Sequence, residues 1–242
     1  MKHIGIVGVN PPGAALCYEE ISKISLLKHD VALEISINSL PFDLYKTAMM
    51  ALDWRKIADL ILASIKKLAL LGVEIIIIPA NTVHFAIEDI KKNSPVPVLS
   101  ILNTTINWCI EQNYSSVVVL GTKQTMRGEL YTKILSDNAI MEVTITESLQ
   151  DDVHRLIMEY IIPGNKNFDT LLNSILEAVK KIKCDAVILA CTELPLVMDS
   201  NNVGKPIVDT TRLLAIEAVK YSAILTDDID EHINTDMNLR HN

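Results

Sequence analysis

Aromatic residues, basic clusters and long apolar runs are all scarce in this chain of 242 residues. Aromatic residues make up 5% of it, and the net charge is −8. The absence of a basic stripe argues against a nucleic-acid partner. No apolar run approaches the roughly 20 residues of a membrane-spanning helix, so we expect no membrane partner. Met1-Lys2-His3 leads directly into a strand-like segment, so we expect no secretory signal.

Cysteines are few and are not spaced as metal ligands. The four are Cys17, Cys109, Cys184 and Cys191, and none belongs to a Cys-x-x-Cys pair. We therefore predict no metal site, free thiols and a cytoplasmic location, because the cytosol keeps thiols reduced. Three of the four are predicted to be small buried hydrophobic side chains.

Aliphatic residues, in contrast, are abundant. Hydrophobic residues make up 49% of the chain although aromatic residues are few, which is typical of parallel sheets buried on both faces. The length suffices for one large domain or two small ones with a sizeable core.

Two stretches about half a chain apart have the same form. Residues 75–79 lead into Ala80-Asn81-Thr82-Val83-His84, and residues 187–190 lead into Cys191-Thr192-Glu193-Leu194-Pro195. Each apolar run predicts a buried parallel strand. Polar residues after such a strand project into the crevice where open α/β folds bind ligands. The repeat predicts two similar α/β lobes that face each other across one cleft.

These two stretches also carry a family resemblance. Asn-Thr-x-His and Cys-Thr-Glu-Leu-Pro resemble the paired signatures of the aspartate/glutamate racemase family, and the resemblance runs through roughly residues 1–220. Two-cysteine members have a cysteine where this chain has Ala80, so the chain resembles a member that lacks the first catalytic cysteine. The resemblance implies two pseudo-symmetric three-layer α/β/α lobes with mainly parallel sheets and the active site between them. It also implies a homodimer and no cofactor.

The predicted lobes divide the chain after a segment that contains two prolines. Residues 95–101 are predicted to lie at a sheet edge or crossover, because proline is excluded from central strands. Residues 1–98 are predicted to form the first lobe and residues 99–206 the second. Residues 207–225 are predicted to pack back on the first lobe. Residues 226–242, with five acidic residues and no periodicity, are predicted to be a mobile tail.

The segments between these landmarks alternate between strand and helix patterns. The predicted strands are 3–9, 31–37, 74–78, 115–120 and 141–146. The predicted helices are 14–27, 53–71, 126–136 and 168–182. Residues 10–13 (Asn-Pro-Pro-Gly) join the first strand to its helix. A turn of this kind leaves helix amides free for an anion, and the alternative is that it only packs the helix on its strand.

The resemblance assigns further residues to substrate binding. Lys46 lies where the family often has an arginine that holds a distal carboxylate; lysine supplies the charge but not the bidentate fork. Lys166 matches a second carboxylate-binding lysine, and Thr122 lies in a turn that holds a carboxylate in relatives. Solvated loop lysines are the alternative interpretation of Lys46 and Lys166. The other predicted binding residues are Asn81, Thr82, Thr192 and Glu193.

Racemisation without a cofactor removes a weakly acidic α-proton and returns it on the opposite face, which suits two acid/base groups. Cys191 is predicted to be one of them, with a thiolate favoured by polar donors and tuned by Glu193. A buried structural thiol is the alternative. On the other face Ala80 transfers no proton, which leaves Thr82 and His84, and His84 has the better pKa. In the family, however, this histidine lies behind the substrate and supports the cysteine.

The sequence therefore favours a cofactor-independent amino-acid racemase acting on aspartate, glutamate or a similar small acidic amino acid. Because Ala80 replaces a cysteine, we expect weakened or one-sided activity. Two alternatives stay open: a single-cysteine lyase or isomerase of a small dicarboxylate, and a catalytically silent carboxylate-binding homologue. The partner in each case is a small-molecule carboxylate or amino acid.

Overall fold

The computed structural model describes residues 1–223, which contain two parallel four-stranded sheets. The first sheet consists of β1 (Ile4–Gly8), β2 (Ile35–Ser39), β3 (Ile75–Ile77) and β4 (Val98–Leu99). The second consists of β5 (Ser116–Leu120), β6 (Met141–Glu142), β7 (Ala186–Leu189) and β8 (Ile207–Asp209). The strand orders, β2-β1-β3-β4 and β6-β5-β7-β8, are the same once the numbering is offset by four. This repeat confirms the predicted pseudo-symmetric α/β fold.

Eleven α-helices lie within residues 1–223, and most of them connect successive strands. In the first half these are α1 (Pro11–His29), α2 (Phe42–Met50), α3 (Trp54–Leu70), α4 (Ile87–Asn93) and α5 (Ile101–Glu111). In the second half they are α6 (Lys123–Arg127), α7 (Thr132–Asp137), α8 (Glu147–Arg155), α9 (Asp169–Lys180), α10 (Ser200–Val203) and α11 (Thr210–Ala223). Two 3₁₀ turns cover Thr82–Ala86 and Leu194–Leu196, and a π-helical turn, Leu156–Ile161, continues α8.

Alternate strand residues face two different hydrophobic layers. In β1, Ile4 and Ile6 belong to a core that also contains Val117 from β5 in the other sheet. Val7, the residue after Ile6, belongs instead to the outer core of the first sheet. Because side chains in a strand alternate between faces, the inner faces of both sheets contribute to one shared central layer.

Helices fill the central layer and cover both outer faces. α11 packs against α1 and α5, and all three contribute buried residues to the shared core. α3 covers the outer face of the first sheet with Ile57, Ile61 and Ile65, whose spacing places them on one helical face. α9 covers the second sheet in the same way with Ile175 and Val179. Residues 226–242, the predicted tail, lie outside the described residues.

Local backbone conformations explain where the predicted elements are wrong. The predicted helix 126–136 is divided into α6 and α7, because Glu129 between them has a φ of 59°, which a helix cannot accommodate. An additional helix, α2, precedes α3, and Leu52, with a φ of 53°, separates the two. The predicted strand 141–146 pairs with β5 only at residues 141–142.

The two-proline segment lies at a sheet edge, as its prolines require. Its strand β4 pairs with β3 only. The predicted strand 31–37 begins later, at Ile35, and runs to Ser39. Within residues 1–223 no helix has the length and apolar character needed to cross a membrane.

Candidate active site

A cavity of about 320 Å³ lies where the two sheets meet, and strand-end residues form its floor. These residues follow the two central strands of each sheet, β1 and β3 in the first and β5 and β7 in the second. From the first half they are Val9, Asn10, Ala80, Asn81, Thr82 and Val83. From the second half they are Thr122, Ala190, Cys191, Thr192 and Glu193. Carboxyl ends of parallel strands are where open α/β folds bind ligands.

Cys191 and Glu193 form a thiol–carboxylate pair at the end of β7. The Cys191 thiol, 9% exposed, donates a hydrogen bond of 2.9 Å to Oε2 of Glu193. The Thr192 hydroxyl donates to the same oxygen at 2.9 Å. Burial, and then the negative charge of Glu193, raise the pKa of Cys191 well above its ordinary value, although the backbone amides of Glu193 and Leu194 oppose the shift. Cys191 is therefore a protonated thiol here, although nearby polar donors were predicted to make its thiolate easier to form.

Asn10 connects the first lobe to this pair and was not among the predicted site residues. Its side-chain amide donates to Oε1 of Glu193 at 2.5 Å and to the Thr192 hydroxyl at 3.4 Å. Its side-chain oxygen accepts from the amide of Gly13 at 3.0 Å and so caps α1. Asn10 thus fixes Glu193 from across the lobe boundary. A local pattern signals the cap, but Glu193 is 183 residues away and nothing local signals that contact.

The start of α1 packs against the second lobe and offers little to an anion. Pro11 and Pro12 have no N–H, and the amide of Gly13 is bonded to Asn10. Gly13 also permits close approach: a Cβ there would lie 2.8 Å from the Thr192 hydroxyl and 3.0 Å from the Pro79 carbonyl oxygen. The turn therefore favours the packing alternative over an anion site.

Asn81, at the end of β3, is bonded to groups from the second half of the chain. Its side-chain amide donates to the Thr210 hydroxyl at 3.0 Å, and its side-chain oxygen accepts from the Tyr131 hydroxyl at 2.6 Å. The Thr210 hydroxyl in turn donates to the Leu189 carbonyl oxygen at 2.9 Å. These contacts fix the end of β3 relative to β7.

Three threonine hydroxyls meet at the lobe boundary. The Thr82 hydroxyl lies 2.9 Å from that of Thr125 and 3.2 Å from that of Thr122, and the last two are 3.2 Å apart. Thr82 and Thr122 line the cavity. Because each hydroxyl carries one donor and two acceptor sites, the cluster is able to turn donors toward a carboxylate.

His84 lies behind the cavity lining and uses both of its ring nitrogens. Nε2 accepts from the Ile101 amide at 3.3 Å, so Nδ1 carries the proton and donates to the Ala80 carbonyl oxygen at 2.9 Å. Burial lowers the pKa of His84 to about 4, so the ring is neutral at pH 7. This geometry departs from the prediction that His84 transfers a proton: the ring holds the Ala80 loop in place.

The two predicted carboxylate-binding lysines are far from equivalent. Lys46 is exposed on α2 and lines the cavity. Lys166 is exposed in the loop before α9 and lies outside the cavity lining. The structure therefore brings Lys46, but not Lys166, together with Cys191 and Thr82.

Two helical walls, which were not among the predicted site elements, complete the cavity. From α2 come Phe42, Lys46, Met49 and Met50. From α8 and the π-helical turn come His154, Ile157, Met158 and Ile162, and Gln124 adds an amide from α6. Within residues 1–223 there is no group of three or more histidine, cysteine or acidic side chains arranged to hold a metal ion.

The fold and the cleft define an α/β protein built from two repeated parallel sheets, with a thiol at a strand end in the cavity between them. The family model described as Asp/Glu/hydantoin racemase matches residues 6–218. The chain belongs to this family.

Individual relatives are similar over different lengths. The chain is 33% identical over 154 residues to the broad specificity amino-acid racemase RacX of Bacillus subtilis, which covers 63% of this chain and 66% of RacX. It is 28% identical over 133 residues to a glutamate racemase of Helicobacter acinonychis, 52% of this chain and 49% of that protein. The chain thus spans about half to two thirds of the length of these curated relatives.

Several solved structures resemble the chain over nearly its full length, and one of them is also more than 25% identical to it. This structure is an aspartate racemase homologue from Pyrococcus horikoshii, with a TM-score of 0.77, 27% identity, and coverage of 92% of this chain and all of that one.

Proposed function

We propose that this protein is a cofactor-independent amino-acid racemase in which Cys191 transfers the α-proton. The observation that carries the proposal is the Cys191–Glu193 pair, a protonated thiol bonded at 2.9 Å to a carboxylate on the floor of the cavity. Family membership supports an amino-acid isomerase. Removing a proton next to a carboxylate needs an acid/base group and donors for the developing charge, and the floor contains both.

The proposed proton transfer begins with activation of the thiol. Glu193 takes the proton of Cys191, and the resulting thiolate removes the proton from Cα. The electron pair of the broken Cα–H bond moves into the substrate carboxylate, where the hydroxyls of Thr82 and Thr122 stabilise the charge. A proton returned to the same face regenerates the starting isomer, and one returned to the opposite face completes inversion. Asn10 keeps Oε1 of Glu193 in place throughout.

Inversion is the slow step in this scheme. Ala80 lines the cavity but has no group that exchanges a proton. Both ring nitrogens of His84 are bonded to the backbone. The proton for the opposite face therefore comes from water or from the Thr82 hydroxyl, and exchange is fast for one enantiomer only.

A single-thiol lyase or isomerase of a small dicarboxylate is the second candidate. The protonated state of Cys191 favours it, because a thiol facing a carbanion delivers one proton to one face. Release of carbon dioxide from a substituted malonate, without exchange of any amino acid, distinguishes this reaction from racemisation.

The experiment that tests the proposal is α-proton exchange in deuterated water, followed by nuclear magnetic resonance for both enantiomers of each amino acid. We expect exchange of one enantiomer, and loss of about 10²–10⁴-fold in Cys191→Ser, the usual contribution of an acid/base group. Cys184→Ser is the matched control, because Cys184 is a free thiol outside the cavity lining. Absence of exchange with every amino acid tested would overturn the racemase proposal.

Aspartate, glutamate or a similar small acidic amino acid remains the substrate class implied by the sequence. Of the residues cited for it, Lys46 supports it by lining the cavity. The amino acids tested therefore include acidic, neutral and apolar side chains.

Assembly and location are also proposals. A homodimer is expected from the family resemblance, and sedimentation at micromolar concentration tests it. Cys17, Cys109, Cys184 and Cys191 are all free, which supports a reducing cytoplasmic compartment.

A further inference from the structure

On the basis of the proposed racemase function, we propose that the cavity selects amino acids with an apolar side chain, such as norleucine, methionine or leucine. The two helical walls face the polar strand ends across the cavity. The polar floor suits the α-amino and α-carboxylate groups, and the walls then surround the side chain.

The wall from α2 is an apolar helical face with one exception. Phe42, Lys46, Met49 and Met50 all line the cavity. Their spacing of four, three and one residues places them on adjacent turns of one side of the helix. Three of the four are apolar, and the exposed Lys46 lies among them.

The wall from the second lobe is shaped by the π-helical turn. The amide of Ile162 donates to the carbonyl oxygen of Ile157 at 3.0 Å, the five-residue step that defines a π-helix. This step brings Ile157 and Ile162 to the same side of the turn, and Met158 lies beside them in the lining. The three side chains form an apolar surface without an ionisable group.

Charge at the cavity also disfavours an acidic side chain. Lys46 is the only lysine or arginine of the lining within residues 1–223. His154 is neutral at pH 7, since burial and then the charge of Lys123 lower its pKa, and its Nδ1 accepts from the Lys123 amide at 3.2 Å. An acidic amino acid brings two carboxylates to a cavity that already contains Glu193. A carboxylate against the wall of Ile157, Met158 and Ile162 loses hydration without a partner.

Methionine makes this wall adaptable. Met49, Met50 and Met158 all line the cavity, and the unbranched thioether adjusts to different apolar shapes. A volume of about 320 Å³ lies at the small end of the range for ligand cavities. The cavity therefore suits single amino acids with apolar side chains of several shapes.

The test compares kcat/KM for α-proton exchange of norleucine and methionine with that of glutamate and glutamine. We expect the apolar pair to exceed glutamate by about 10–100-fold, the usual gain from burying such a side chain. A preference for glutamate that Lys46→Met removes would overturn the inference and leave the racemase proposal intact.

A matched pair of variants separates the wall from general charge effects. Met158→Lys adds a cation to the wall and should shift the preference toward glutamate by about 10-fold or more. Met141→Lys adds the same charge at an exposed position of β6, outside the lining, and should leave the preference unchanged. Equal effects of the two variants would count against an apolar wall at Met158.

A binding measurement distinguishes failure of the inference from failure of the racemase proposal. Thermal unfolding of Cys191→Ser is followed with norleucine or glutamate at equal concentration, because a bound ligand raises the Tm without turnover. Stabilisation by norleucine supports the apolar wall even if the wild-type protein exchanges no amino acid. Stabilisation by glutamate alone, or by neither ligand, overturns the inference.

Discussion

The ends of β3 and β7 occupy equivalent positions in the two sheets but have opposite chemistry. After β3, Ala80 lines the cavity without an exchangeable proton, and Asn81 and His84 use their side chains to hold the surrounding structure. After β7, Cys191 and Glu193 form a bonded pair that lines the cavity. The repeated sheets determine where reactive side chains can lie, at the ends of β3 and β7. The identity of the residue at each end determines whether it can transfer a proton.

The largest expected effect comes from giving the end of β3 the same thiol that Cys191 provides at the end of β7. Ala80→Cys places a thiol at the end of β3 and should raise inversion of the slowly exchanged isomer by about 10²-fold or more, within the range for an acid/base group. Polarimetry, together with exchange in deuterated water, measures the gain. Ala80→Ser is the control, since a hydroxyl is a much weaker acid than a thiol, and an equal gain from serine would contradict a cysteine-specific effect.

The second expected effect is a loss of folding stability at acid pH, caused by the burial of neutral His84. Its folded-state pKa, about 4, lies below the ordinary value of 6.5. This stability is therefore fully present above pH 6.5 and is lost as the pH falls through about 4. The difference corresponds to about 3 kcal/mol.

Urea unfolding at pH 7 and pH 4 measures this loss. His84→Gln should be less stable at pH 7 and should lack this part of the acid dependence. His29→Gln, a substitution on α1 outside the cavity, should keep it. The role of His84 would be refuted by an acid dependence that is the same in wild type and His84→Gln.

The third effect concerns the coupling of Cys191 to Glu193. Glu193→Gln removes the charge that contributes to raising the pKa of Cys191. The thiol should then react with iodoacetamide at lower pH, although burial still keeps its pKa above the ordinary value. Exchange activity should fall by about 10–100-fold, the equivalent of a hydrogen bond to a charged group.

Mass spectrometry of the alkylated protein measures the pH profile of Cys191, with Cys184 as an internal reference. Unchanged exchange in Glu193→Gln would show that the carboxylate is not the base that activates the thiol.

The smallest expected effect concerns the hydrogen bond that Tyr131 donates to Asn81 at the end of β3. Tyr131→Phe removes the hydroxyl that donates to Asn81 at 2.6 Å. We expect the free energy of unfolding to fall by about 1–2 kcal/mol, because a buried acceptor loses its partner. Tyr18→Phe, at an exposed position of α1, should change it little. Denaturant unfolding of both variants compares them, and equal losses would argue against the Asn81 contact.

The sequence predicts the parts of the molecule that depend on local pattern. The apolar runs before Ala80 and Cys191 are buried strands, because a run of isoleucine or valine is suited to a sheet covered on both faces. The repeated strand–polar motif places Cys191 and Thr82 in one cavity, because equivalent strands end at equivalent sheet edges.

The rest depends on contacts between residues distant in the chain. Asn10 meets Glu193 across 183 positions, and no spacing rule connects them. The protonated state of Cys191 follows from its burial and from the charge of Glu193, and the extent of that burial is not visible in the sequence. The π-helical turn and α2 form walls only once the lobes are assembled.

The helical layer shared by both sheets has a consequence for how the molecule unfolds. α1, α5 and α11 complete the inner face of each sheet, so neither half of the chain contains its whole core. Separating the halves would expose the inner faces of both sheets to water at once. The two repeats are therefore expected to melt in a single cooperative transition, as one folding unit rather than as two separable modules.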